Sequence, residues 1–316
     1  MLNKVWIILV VAAVAAGLGS GCSADDRGVA SPQGPLEGAE TLVWVDRQGN
    51  AEPMGAAARD YLFPRLSPDE QSVAVMSHDD IWLFDIARQT LTRLTFAGGS
   101  NQPVWTPDGQ YVAYRSSPEE NNFLFWTRAD GSGTEEQLTT GAPRQNPTSW
   151  SPDGQFLAFF QSPGVGGDGD RDIWMMPLDG EREPRPFLET PFNELVAMFS
   201  PNGRWVAYVS DESGRNEVYV LPFPGPGGKR QISTEGGGYP QWARDGRELF
   251  YLNDLQMLAV DIETEPGFRA NTPRLLFEGG FVGGPDLLSR AGGPYPVYDV
   301  SADGQRFLMV QEVAPD

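Results

Sequence analysis

A single histidine, His78, and a single cysteine, Cys22, bound the chemistry open to this chain. A Ser-His-Asp relay would have to recruit His78, which stands in Met76-Ser77-His78-Asp79-Asp80, and no Gly-x-Ser-x-Gly elbow accompanies it. One cysteine makes no intramolecular disulfide, and with one histidine it falls short of a Cys/His zinc site. Carboxylates remain. A glycosidase needs two acids at a defined separation, and the 43 Asp and Glu residues supply acids without singling out a pair. Asp168-Gly169-Asp170-Arg171-Asp172 spaces its carboxylates as a calcium loop does, but the twelfth position holds Asp179 where glutamate is required. A flexible acidic loop fits it better. No catalytic, metal or cofactor site is assigned.

Charge and composition close further classes. Twenty-three Lys and Arg against 43 acids give a net charge of -20, so a phosphate backbone is repelled and nucleic acid is not an expected partner. With 40% hydrophobic residues, 316 residues can bury a substantial core. The 37 glycines and 27 prolines lack the strict period of collagen and point to a turn-rich, all-β chain.

The turns repeat. Ser67-Pro68-Asp69, Thr106-Pro107-Asp108-Gly109, Ser151-Pro152-Asp153-Gly154, Ser200-Pro201-Asn202-Gly203, Ala243-Arg244-Asp245-Gly246 and Ser301-Ala302-Asp303-Gly304 place their Asp or Asn 39, 45, 49, 43 and 58 residues apart. Each suits a type I turn, with Pro preset for the second position and Gly free to take positive φ at the fourth. Glu70 replaces that glycine in the first copy, and Ala243-Arg244 replaces Ser-Pro in the fifth, so these corners are expected to be less ideal. Three residues before each Asp or Asn stands Leu66, Trp105, Trp150, Phe199, Trp242 or Val300. After it, large residues alternate with Ala74, Ala113, Ala158 and Ala207, or with Phe250 and Leu308, as in a strand clamped between two sheets. A third and a weaker fourth strand follow in the first five copies, which makes a propeller blade. The sixth copy ends after two strands. Leu42–Asp46 and Glu52–Met54 supply the missing pair, so both termini are expected to close a six-bladed β-propeller over residues 41–312, leaving 313–316 as a tail.

Trp105, Trp150 and Trp242 share one repeat position and read as blade core. Aromatic and amide residues just ahead of the inner strands are the better binding candidates, because the chain comes in there near the central axis. Tyr61, Gln102, Asn146, Glu194, Tyr239 and Tyr295, with Arg215 from the loop 211–216, are expected to frame one mouth of the channel and to hold a protein or peptide. The corner turns at the other mouth are expected to be structural.

Ahead of the repeats, Lys4 precedes a 14-residue apolar run, Val5–Leu18, which is short for a spanning helix and right for a signal peptide. Gly19-Ser20-Gly21-Cys22 then resembles a lipobox, with Gly19 where leucine is usual. This implies a signal peptide over 1–21, lipidation at Cys22 and a flexible tether over 22–40; a plain secretory signal is the alternative. Ser23 after the lipidated cysteine implies, in Gram-negative lipoproteins, export to the outer membrane.

Trp-Ser-Pro-Asp-Gly followed by an apolar-Ala-aromatic strand resembles the WD-like repeat of TolB-type propellers, across nearly the whole mature chain. Val43-Trp44-Val45-Asp46-Arg47-Gln48-Gly49 and Ser210-Asp211-Glu212-Ser213-Gly214-Arg215 also resemble propellers attached to bacterial serine/threonine kinases, although no kinase segment is present. The resemblance implies a monomeric, non-catalytic binding scaffold of the cell envelope. A ligand-sensing or glycan-processing propeller is the alternative.

Overall fold

The repeats become blades in the computed structural model, which describes residues 39–117, 122–140, 144–162, 170–225, 227–281 and 297–313. Cys22, Asp168 and Tyr295 lie outside the described residues. Each blade is an antiparallel meander running outward from the axis. From inner to outer strand, the first comprises Leu62–Leu66, Ser72–Ser77, Asp80–Asp85 and Thr90–Arg93, and the second Asn101–Trp105, Tyr111–Ser116, Phe123–Arg128 and Glu136–Gln137. The third has Gln145–Trp150, Phe156–Gln161, Asp172–Pro177 and Arg185–Leu188; the fourth has Glu194–Phe199, Trp205–Ser210, Glu217–Pro222 and Arg230–Gln231. In the fifth, Gly238–Trp242, Glu248–Asn253 and Gln256–Glu263 are followed by two outer segments, Arg269–Ala270 and Arg274–Glu278, which pair with different halves of the third strand.

The last blade joins both ends of the propeller. Asp299–Val300 and Arg306–Glu312 pair from the C-terminal side, and Glu40–Asp46 runs antiparallel to Arg306–Glu312 from Glu40 opposite Glu312 to Asp46 opposite Arg306. Ala51–Pro53 completes it. Arg47 reinforces the seam, donating through both terminal nitrogens to Glu248 (2.9 and 2.7 Å) and to the Gly304 carbonyl (2.9 Å).

Alternation in the second strands explains how the blades stack. Val73, Ala74 and Val75 are all fully buried, but on opposite faces. Ala74 packs with Val112 and Tyr114 of blade two, whereas Val73 and Val75 pack with Leu42 and Leu308 of the closing blade. The scheme repeats: Ala113 lies with Leu157 and Phe159, Ala158 with Val206 and Tyr208, and Ala207 with Leu249 and Tyr251. Each alanine makes room for two large side chains of the next blade, which keeps packing dense near the crowded axis. Where Leu308 replaces alanine, the facing pair is the smaller Val73 and Val75.

The corners form as their residue types require. The Ser67 hydroxyl donates to Asp69 Oδ1 (2.6 Å) and accepts the Ser72 N–H (3.0 Å), while Asp69 also accepts the Gln71 N–H (3.0 Å). Thr106 with Asp108, Ser151 with Asp153, Ser200 with Asn202 and Ser301 with Asp303 repeat the hydroxyl-to-side-chain bond. These hydroxyls, then the backbone donors, hold the carboxyls of Asp69, Asp108, Asp153 and Asp303 below their usual value. At the fifth corner Ala243 offers no hydroxyl, and Asp245 keeps the Arg247 N–H bond (2.9 Å). Gly109 takes φ +70° with its Cβ position 3.6 Å from Pro68, so each proline also packs beneath the glycine of the following corner. Glu70 occupies the same left-handed region at φ 56° without being glycine.

Candidate functional site

Six inner strands converge at the corner end of the axis on a funnel of about 400 Å³. The fourth residue before each corner Asp or Asn lines it: Arg65, Val104, Ser149, Met198, Gln241 and Asp299. The next residue supplies an apolar wall of Leu66, Trp105, Trp150, Phe199 and Trp242, and Pro68, Pro107, Pro152, Pro201 and Arg244 form the rim. The tryptophans therefore serve both as core and as wall. Two of them also latch neighbouring blades, since Trp105 Nε1 donates to the Arg65 carbonyl (3.1 Å) and Trp242 Nε1 to the Met198 carbonyl (3.0 Å). Trp150 Nε1, at the equivalent place, is buried without a hydrogen-bond partner among the described residues.

Arg65 and Asp299 give the funnel its polar character. They come from the first and closing blades, which are neighbours only because the ring closes. Asp299 accepts the Leu66 N–H through Oδ2 (2.9 Å) and the Val300 N–H through Oδ1 (2.8 Å). Arg65 is 6% exposed, and its Nη1 donates to the Tyr298 carbonyl at 3.3 Å. Burial lowers the Arg65 pKa and raises that of Asp299, and their mutual attraction opposes both shifts.

The two departures from the repeat meet at the rim. Arg244 stands where other corners have proline and reaches past the closing blade's small Ala302 to the Pro68 and Ser67 carbonyls of blade one. Its Nη2 lies 3.7 Å from Glu70 Oε1, and Glu70 accepts the Ala302 N–H. The residues that spoil two ideal corners thus tie three blades together.

Toward the other end of the axis, Phe63 of blade one joins Phe160 of blade three and Leu195, Val196 and Val209 of blade four in one buried cluster. Blade one adjoins neither, so the cluster crosses the axis. Met198 both lines the funnel and packs on this cluster, so an apolar plug lies beneath the ring of residues, Arg65 and Asp299 among them, that forms the funnel floor. Phe63, Gln102, Val196 and Tyr239 share a left-handed backbone (φ 53° to 56°) at one repeat position, within or beside register shifts of the inner strands. Left-handed φ at a β-branched residue such as Val196 is uncommon and costs energy.

Among the described residues, none of the partner-binding candidates named from the sequence lines the funnel. Tyr61 is fully buried between the first and closing blades, donates to the Ala57 carbonyl (2.6 Å) and is pushed up to about 12 by burial. Gln102, Asn146, Glu194 and Tyr239 are also buried, and occupy three different register positions rather than one. Each nevertheless holds polar atoms without a partner among the described residues: both amide atoms of Gln102, Nδ2 of Asn146, Oε2 of Glu194 and the Tyr239 hydroxyl. Asn146 Oδ1 accepts from Arg115 (2.7 Å), and Glu194 Oε1 accepts from Thr190 (2.6 Å). Burial lifts the Glu194 pKa to about 7 against the hydroxyl bonds from Thr190 and Ser210. Arg215 is exposed but engaged, donating to Glu217 (2.9 Å) and to the Thr234 carbonyl (2.6 Å).

His78 does sit beside a serine and an aspartate. Ser77 Oγ lies 3.0 Å from its Nδ1, and Asp60 Oδ1 lies 2.8 Å from the same nitrogen. A relay needs the serine and the acid on opposite ring nitrogens, so this arrangement cannot run one. It holds instead a tight turn in which His78 and Asp79 both have positive φ. Among the described residues no group of three or more His, Cys, Asp or Glu could hold a metal ion.

The sequence carried a signal for Arg65 and Asp299 that periodicity alone passed over. At a repeat position otherwise neutral, two copies bear opposite charges. A second groove, of about 530 Å³, runs between blades two and three, where Tyr111 stacks on Trp126 at 4.5 Å and Arg182 lies 5.4 Å over the Trp126 ring.

No family profile and no curated protein matches the chain. Solved structures do. A putative TolB from Agrobacterium tumefaciens is similar over 88% of this chain and 99% of its own, at 17% identity and a TM-score of 0.69. TolB from Acinetobacter baumannii, at 18% identity and a TM-score of 0.57, is matched over 76% of this chain and 65% of its own length, a little under two thirds. A Mycobacterium tuberculosis puromycin-hydrolyzing peptidase is similar at 21% identity and a TM-score of 0.50 over 65% of this chain, but only 36% of its own. At these identities the likeness establishes the six-bladed propeller fold, which hosts unrelated activities.

Proposed function

We propose that this chain is a non-catalytic scaffold that binds a protein or peptide at the bacterial cell envelope, tethered to a membrane, the outer one by the Ser23 rule, through lipid on Cys22. The observation that carries the binding reading is the funnel, to which all six blades contribute and which combines an aromatic wall with a polar floor, as recognition sites do. The shared fold of the two TolB structures supports an envelope scaffold. The apolar run Val5–Leu18, with Gly19-Ser20-Gly21-Cys22 directly after it, supports the anchor.

A photo-crosslinking residue at Pro152 or Pro201 on the funnel rim is expected to capture one discrete polypeptide in cells, and the same residue at exposed Leu275 on the outer edge of blade five to capture none. Capture at Arg215 without capture at the rim would move the contact to the far end of the axis, where Gln102, Asn146, Glu194 and Tyr239 lie. No adduct from either end would sink the scaffold reading. Cys22→Ser should release the protein from the membrane fraction, because several acyl chains bind firmly and none remains; unchanged retention would require a different anchor. The stacked Tyr111 and Trp126 favour a second reading, a glycan-sensing or glycan-processing propeller. It requires oligosaccharide binding that Trp126→Ala abolishes.

A further inference from the structure

The charge of the funnel runs against that of the chain. The whole protein carries -20, yet the charged residues that line the funnel are two arginines and one aspartate. Asp299 is satisfied by two backbone donors, and Arg244 by two carbonyls beside Glu70. Arg65 differs. A guanidinium has five N–H donors, and this one, 6% exposed, makes one long bond to a carbonyl. Among the described residues no carboxylate stands within 4.0 Å of it. A buried cation so sparsely bonded is costly unless an anion completes it.

We propose that the funnel floor is a carboxylate site, in which Arg65 receives a carboxylate of a bound peptide while the flanking residue packs on the wall of Trp105, Trp150, Phe199 and Trp242. The proposal rests on the reading of the funnel as a peptide-binding surface and gives its ligand a chemistry. A planar guanidinium matches a carboxylate with two parallel hydrogen bonds. The exposed corner residues Asp69, Asp108, Asp153, Asp245 and Asp303 surround the mouth and disfavour a ligand that is acidic throughout. The carboxylate therefore belongs at the tip of the ligand, with neutral or basic residues behind it.

The probes are N-acetyl-4-fluorophenylalanine, with a terminal carboxylate, and the amides of N-acetyl-glutamyl- and N-acetyl-glutaminyl-4-fluorophenylalanine, with a side-chain carboxylate and with none. Fluorine NMR titration of the full chain, up to about 10 mM probe, reads weak affinities directly. At least one carboxylate probe should bind about tenfold or more tighter than the neutral one, the size of a charge-assisted hydrogen bond; which one separates a chain end from a side chain. Arg65→Gln should erase that preference and leave the weak aromatic component. Because Arg65→Gln can disturb folding, Asp299→Asn is the second variant. It removes a nearby negative charge and should raise the ratio of carboxylate-probe to neutral-probe affinity a few-fold. Equal binding of charged and neutral probes, a preference that survives Arg65→Gln, no gain in Asp299→Asn, or no binding of any probe would each overturn the carboxylate site. Rim crosslinking to a polypeptide would stand in all of those cases, so the two readings fail separately.

Discussion

Ring closure by the first strand can be tested through Leu42. This side chain is fully buried, as are Val43 and Val45 in the same strand, and it packs with Val73 and Val75 of blade one and Leu308 and Val310 of the closing blade. Leu42→Ala deletes three carbon atoms from a site with neighbours on both sides, and such changes cost about 2–5 kcal/mol depending on how far the cavity collapses. For a domain of this size that corresponds to a fall of roughly 5–15 °C in Tm. A chain beginning at Gly55 loses all three buried aliphatic residues, the seven-residue register with Arg306–Glu312 and the Arg47 seam, so its loss must exceed that of the point variant. It also leaves Arg306–Glu312 with an open edge, which favours aggregation. Thermal melting by circular dichroism, with sedimentation to detect association, measures both. If the shortened chain melted cooperatively within a degree or two of the parent, closure by the N-terminal strand would be wrong.

Three further outcomes follow from the same geometry. Thr106→Ala removes the hydroxyl that most strongly depresses the Asp108 pKa, and should lower stability by about 1 kcal/mol at neutral pH. The depressed corner carboxylates stabilise the fold above their unfolded value near 3.8 and lose that contribution as pH falls below it, so the penalty of Thr106→Ala should shrink in acid; a penalty constant from pH 7 to pH 3 would contradict the assignment. Glu70→Gly restores the repeat pattern and relieves a left-handed residue, yet should lower Tm because it releases Ala302 and Arg244; a rise in Tm would show that the rim cluster contributes little. Glu194 carries the opposite sign. Its pKa, raised from 4.5 to about 7, gives stability that is full below pH 4.5 and lost as pH rises through 7, so Glu194→Gln should be the more stable protein above pH 7, and identical Tm-versus-pH curves would refute its burial as an acid.

The corner, the alternating second strand and the closing strand were all legible from local sequence, because each follows a short pattern of residue types that every blade must satisfy again. A hydroxyl two residues before an Asp or Asn, with Pro or Ala between them, makes the same turn at five of the six corners, and an alanine between large residues marks where the next blade leans in. Strand boundaries followed: Leu42–Asp46 was expected and Glu40–Asp46 is found. Left-handed backbone at Phe63, Gln102, Val196 and Tyr239 was not legible, since no glycine marks it and the cross-axis packing of Phe63 and Val196, not local preference, holds it. Nor could sequence show that Glu70 and Arg244, each a blemish in its own corner, meet at the rim. Arg65 and Asp299 stand 234 positions apart, and only the return of the chain to its starting blade brings them to one funnel floor. Turn chemistry is short-ranged and so is written periodically along the chain. The chemistry of the axis is a sum over six strands, and its terms acquire neighbours only when the ring closes.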